Sequence, residues 1–244
     1  MTTKIVFLLA QSARSVAYVQ AASHAEVDIA CVVLYGNNQI NVSSSRNLYD
    51  PSSSLFCPDF ALNLQQSLAM SDWPVWQCDS KLLDNDRLLT KLKSLSPDLI
   101  VYSGYGGQIV PKPLLDIAPI LHIHSGLLPE FPGSTTIYYQ ILAQQSCGAS
   151  AILLDETIDT GPVLAKKVYP LPDYHMDIDY LYDNMIRANL LVDVLTNIKD
   201  YSLDTEHARP SVESDPYYVI HPLLKHIAIL SSDMKSEQQR HEID

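Results

Sequence analysis

Hydrophobic positions in this chain fall into short unbroken runs, and the stretches between the runs carry helical spacing. KIVFLLA (4–10), VDIACVVLYG (27–36), SPDLIVYSG (96–104) and ILHIHS (120–125) are continuous apolar runs of strand length. Such runs are typical of strands covered on both faces of a parallel sheet. QSARSVAYVQAASHAE, DFALNLQQSLAM and NDRLLTKLKSL have the spacing of helices, the last with Asp84 or Asn85 as its cap. WPVWQCD adds a short strand. CGASAILLDE and VLAKKVYPL, joined through TIDTGP, read as two further strands added antiparallel. The pattern predicts an α/β fold: a Rossmann-like, open, twisted, mixed but mostly parallel sheet with helices on both faces. The first βαβ unit lacks GxGxxG, so a dinucleotide pyrophosphate site is not supported.

The connections are uneven. Asn, Ser and Pro dominate residues 37–58, which predicts an irregular surface excursion. YGGQIVP follows the strand at 98–103, and its Gly106 and Gly107 permit a tight exposed turn at a place where open α/β sheets bind ligands. SGLLPEFPG forms a rigid turn after ILHIHS and leads into a helix, STTIYYQILAQQ, capped by Ser134 or Thr135. The long segment 176–201 is amphipathic, with Ile178, Leu181, Tyr182, Met185, Ile186, Leu190 and Val194 near one face. It is read as a core helix or a homodimer surface. Residues 1–200 are assigned to one domain, and 201–244 to an extension packed on it or trailing from it, with a frayed charged end.

Charge narrows the partners. With 244 residues and a formal net charge of −12, the chain shows no clustered basic surface for a long polyanion, so nucleic acid is excluded as an expected partner. The apolar runs fall far short of the roughly 20 residues of a membrane-spanning helix, so no membrane association is expected. The four cysteines, Cys31, Cys57, Cys78 and Cys147, have neither zinc nor disulfide spacing. A cytoplasmic location is the expectation, with Cys31 and Cys147 as inert buried thiols.

Candidate chemistry gathers in residues 121–164. Side chains alternate along a strand, so His122 and His124 point to one face while Leu121 and Ile123 point to the other. Two histidines so placed suit hydrogen bonding to one developing oxyanion. With the carboxylate of Asp159 they also suit a metal that activates water, which would make the protein a hydrolase.

LHIHSGLLPEFPGSTTIYYQIL, then LLDETIDTGPVLAKKVYPL, resembles the folate-dependent formyltransferases, in which a strand ending Asn-x-His-Pro-Ser-Leu-Leu-Pro precedes an Asp-Glu-x-x-Asp-Thr-Gly stretch. The likeness includes His124, Leu127, Leu128, Pro129, Gly133, Asp155, Glu156, Asp159, Thr160 and Gly161, and DLIVYSGYGGQIVPKPLL is similar to the family's strand and folate-binding turn. The resemblance implies the formyltransferase fold and a catalytic set of His122, His124 and Asp159, with His122 standing where the family has asparagine. It implies 10-formyltetrahydrofolate as formyl donor, held by Gly107, Gln108, Ile109, Val110, Asp155, Thr157 and Asp159. The acceptor amine would meet Ser125, Gly126, Pro129, Ser134, Thr135 and Thr136. No resident metal is expected on this reading. GSTTIYY and the tail YYVIHPLLKHIAI are similar to formyltransferases acting on amino sugars, and a small amino-sugar acceptor is therefore expected. The acidic charge argues against initiator methionyl-tRNA; phosphoribosylglycinamide is the next candidate. A folate-binding module without catalysis is the remaining reading, because asparagine has become histidine at 122.

Overall fold

The computed structural model describes residues 2–36, 55–172, 175–204 and 215–241, with side chains to residue 234 in the last helix. Most of the 37–58 excursion therefore lies outside the described residues.

Seven strands form one sheet in the order β3-β2-β1-β4-β5-β6-β7. β1 (Ile5–Ala10), β2 (Cys31–Tyr35), β3 (Val75–Cys78), β4 (Leu99–Ser103) and β5 (Ile120–Ser125) run parallel; β6 (Cys147–Leu153) and β7 (Val163–Tyr169) continue the sheet antiparallel. The sheet is mixed for the reason its sequence suggests: Asp155–Gly161 is too short to house a crossover helix, so β6 must turn back on itself.

Helices cover both faces. α1 (Ala13–His24), α2 (Leu64–Leu68), α5 (Thr136–Gln144) and α6 (Asp183–Thr196) share one core with Phe7, Leu9, Val101, Leu121 and Ile123. α3 (Asp86–Leu95) and the short α4 (Lys112–Leu115) lie on the other face with Leu8, Val33, Ile100, Tyr102 and Ile120. α7 (Pro222–His241) packs on α5.

Local chemistry explains most of the element ends. Asn85 caps α3 by accepting from the amides of Arg87 and Leu88, as expected, and Asn63 closes a capping box with Gln66 that trims the predicted 59–70 helix to α2. The amphipathic 176–201 segment is core: one π-turn over Ile178–Tyr182 leads into α6, which buries Met185, Ile186, Leu190 and Val194. Two expectations fail. The tail is not frayed after residue 230, because α7 continues to His241. Thr135 stands at the start of α5 with φ 52° and makes no capping bond, since its hydroxyl donates to the Ser134 carbonyl and accepts from the Ile220 amide.

Candidate active site on strand β5

β5 presents its histidines as the alternation requires. Leu121 and Ile123 are fully buried in the α1/α6 core, while His122 and His124 stand on the opposite face beside Tyr102, whose ring centroid lies 6.3 Å from that of His122. α6 grips the strand from below. Arg187 donates to the Ile123 carbonyl (3.0 Å) and pairs with Asp183 (2.8 Å), and Asp183 accepts from Ser125 Oγ (2.5 Å).

His124 is 4% exposed, and acceptors face both of its ring nitrogens. Nε2 lies 2.6 Å from the Phe131 carbonyl, and Nδ1 lies 3.4 Å from Asp159 Oδ2. A carbonyl only accepts, so the short contact assigns the single proton of the neutral ring to Nε2. Nδ1 then turns a lone pair toward the carboxylate, in keeping with the longer separation. The ring is pulled in two directions: burial lowers its pKa, whereas Asp159 and the Phe131 carbonyl favour the charged form. Burial prevails, and the pKa lies below the usual histidine value.

His122 is half-buried and rests its Nδ1 3.5 Å from the Tyr102 carbonyl. Burial, then the nearby positive charges of Arg14 and Arg187, hold its pKa well below 6.5. It is a neutral ring beside the couple made by His124 and Asp159, bonded to β4 and not to Asp159. Arg14 reaches across the junction of β1 and β4, donating to Ser103 Oγ (3.1 Å) and to the Gly104 carbonyl (2.5 Å).

A loop carries Asp159 to the strand. Asp155 Oδ1 accepts from the Thr157 amide (2.8 Å) and from Thr160 Oγ1 (2.9 Å), closing residues 155–160 on themselves. Gly161 is required, because a Cβ there would lie 1.8 Å from the Leu153 carbonyl oxygen. Asp159, at φ 55°, accepts from the Gly133 amide (2.8 Å). It therefore ties the turn after β5 to the histidine of β5.

The expected folate wall is partly free. Ile109 is 64% exposed and Gly107, at φ 74°, has open space where a side chain would stand. Val110 belongs to the α3/α4 core, and the Gln108 side chain is consumed by Tyr35 Oη (2.7 Å) and the Lys81 carbonyl (2.8 Å). Lys112 beside Glu156 (3.4 Å) draws this turn and the 155–161 loop together, and the loop carries its own exposed isoleucine, Ile158.

Of the residues expected at the acceptor, Ser134 is exposed and Pro129 and Thr135 are part-exposed. Ser125, Gly126 and Thr136 are interior: Ser125 serves Asp183, Gly126 bonds Gly148, and Thr136 donates to the Ser125 carbonyl. These three build the turn. Among the described residues no three of His, Cys, Asp and Glu gather as metal ligands, so His122, His124 and Asp159 do not form such a group. Sequence reasoning overlooked the Phe131 carbonyl, the Gly133 amide, Arg14, and the Asp183–Arg187 pair. A backbone group carries no sequence signal, and the arginines sit in helices that read as ordinary.

A cleft lined by Glu26, Asp28, Asp72 and Trp73 opens at the N-terminal ends of β2 and β3, away from this chemistry.

The fold and the His-Asp couple define an open-sheet α/β protein with a buried histidine and carboxylate side by side over its last parallel strand. The sequence profile of the formyl transferase family matches residues 3–191, and the chain belongs to that family. A methionyl-tRNA formyltransferase of Pelobacter propionicus is 34% identical over 139 residues, covering 55% of this chain and 41% of the relative. The chain spans less than half the length of such curated relatives. Solved structures share the fold: a sugar N-formyltransferase from Shewanella sp. FDAARGOS_354 (TM-score 0.57, 17% identity, 94% of this chain and 87% of that one) and glycinamide ribonucleotide transformylase 1 from Symbiobacterium toebii (TM-score 0.56, 16% identity, 82% and 88%).

Proposed function

We propose that this protein transfers a formyl group from 10-formyltetrahydrofolate to the primary amine of a small acceptor, an amino sugar. The observation that carries the reading is the His124–Asp159 couple, which falls within the stretch that the family profile matches. Gly107, Ile109 and the 155–161 loop, with open space and two exposed isoleucines on turns drawn together by Lys112 and Glu156, suit a flat heteroaromatic donor. When bound, that donor supplies an activated formyl carbon.

The chain's own groups do the rest. His124 keeps its proton on Nε2 and donates a hydrogen bond from it to the negative charge developing on the formyl oxygen. Asp159 favours the positive ring, takes up the proton lost by the amine, directly or through one water, and returns it to the donor nitrogen as that nitrogen's bond to the formyl carbon breaks. His122 is neutral, and with the Tyr102 carbonyl facing its Nδ1 the ring leaves Nε2 as a lone-pair acceptor that can orient an amine N–H. Asparagine can fill the same role through its side-chain oxygen, since both side chains accept. The net charge of −12 favours a small acceptor over a transfer RNA.

Incubation with 10-formyltetrahydrofolate and a panel of amines is the test: amino-sugar nucleotides, phosphoribosylglycinamide and methionyl-tRNA. Mass spectrometry should show the gain of one formyl group on an amino sugar, with turnover reduced at least about 100-fold in His124→Ala. Formylation of methionyl-tRNA alone would overturn the acceptor, and no formylation of any amine would overturn the activity.

A further inference from the structure

The turn after β5 is held from two sides. From within, the Phe131 carbonyl receives His124 Nε2 and the Gly133 amide binds Asp159. From outside, the chain near Tyr217 lies along the same residues. The Tyr217 amide donates to the Pro132 carbonyl (2.8 Å), the Ser134 amide donates to the Tyr217 carbonyl (2.8 Å), and the Ile220 amide donates to Thr135 Oγ1 (2.8 Å). The Tyr217 ring packs on Phe131 (centroids 5.9 Å) and Tyr139 (4.4 Å). Gly133 admits this approach because a Cβ there would fall 2.2 Å from the Tyr217 carbonyl oxygen. The 217–220 side of these contacts lies beyond the 3–191 stretch that the family profile matches.

We infer that Tyr217 is a positioning residue: its segment, residues 217–220, is a latch that holds the 131–135 turn over His124 and keeps its Nε2 proton on the Phe131 carbonyl until an acceptor enters. In the latched arrangement the one N–H of the neutral ring is spent on backbone and the ring is almost wholly covered. An oxyanion can receive that proton only if the Phe131 carbonyl withdraws, and the carbonyl cannot withdraw far while Pro132, Ser134 and Thr135 stay bonded to 217–220. A site whose competent form is a minor population binds its acceptor more weakly by that fraction. The latch therefore sets acceptor affinity and leaves the chemical step alone.

The inference rests on the transfer reading for its catalytic consequence only; covering of His124 is measured without turnover. The full chain is treated with diethyl pyrocarbonate at neutral pH and modification is followed at each histidine by peptide mass spectrometry, with exposed His24 as the internal standard. Tyr217→Ala should label His124 at least about tenfold faster than the unmodified chain, because losing a packed aromatic ring raises the open population. Tyr217→Phe, which keeps the ring stack, should label at the original rate. Thr135→Val, which removes the hydroxyl's bond to the Ile220 amide along with its local one to the Ser134 carbonyl and changes little volume, should give a rise of about fivefold and serves if the alanine variant does not fold. Folded Tyr217→Ala or Thr135→Val protein that labels His124 at the original rate would overturn the latch. Where transfer is measurable, Tyr217→Ala should lower the acceptor KM several-fold with kcat preserved; an unchanged or raised KM would overturn the affinity role. Faster labelling without any transfer would leave the latch standing and fail only the proposed reaction.

Discussion

His124 shows how one side chain reports its surroundings at both ends. Its two acceptors would be satisfied together only by the charged ring, yet burial keeps the ring neutral, and His122 is held neutral more strongly still. Because both folded-state values are lowered, the unfolded chain binds more protons once the pH drops below about 6.5. The contribution of these histidines is fully present above that pH and is lost as the pH falls through the lower folded-state values. Denaturant midpoints measured from pH 7.5 down to 5 should decline, and His122→Asn should flatten the decline while retaining any transfer activity. The pairing of His124 with Asp159 was legible in the sequence only as a motif. Nothing in the residue string says that the Phe131 carbonyl would claim Nε2, since main-chain acceptors are identical at every position.

At the level of elements, the parallel runs, the antiparallel addition and the face carrying the histidines were all readable, because strand alternation and unbroken apolar runs follow directly from burial. What escaped was contact between elements distant in the chain. Ser125 and Thr136 looked like acceptor contacts, but Ser125 is spent on Asp183, 58 residues away, and Thr136 on a neighbouring carbonyl. Gln108 seemed to face a ligand and is tied to Tyr35 and Lys81. α7 reads as a polar tail after residue 230, yet helix propensity carries it on. The Asp183–Arg187 pair beneath β5 has side chains only 16% and 14% exposed, so removing one partner leaves the other charge covered. Asp183→Ala should therefore cost about 3 kcal/mol or more in urea unfolding, while Asp193→Ala, whose partner Lys167 is well exposed, should cost less than about 1 kcal/mol.

For the molecule as a whole, charge is the property with the widest reach. Twelve excess negative charges repel a nucleic-acid backbone, so binding to transfer RNA at 150 mM salt should be weaker than about 100 µM in a filter or anisotropy assay. Tight, salt-sensitive binding would contradict the small-acceptor reading. None of the described helices is long and apolar enough to cross a membrane. The free cysteines do not alter this picture: burial pushes the Cys31 and Cys147 thiols up, as expected of inert groups. The short return from β6 to β7 has a wider meaning. Because it closes through its own side chains, seats Gly161 against Leu153 and delivers Asp159 to His124, the donor wall and the carboxylate are one rigid piece: a substitution that loosens the return is felt at both.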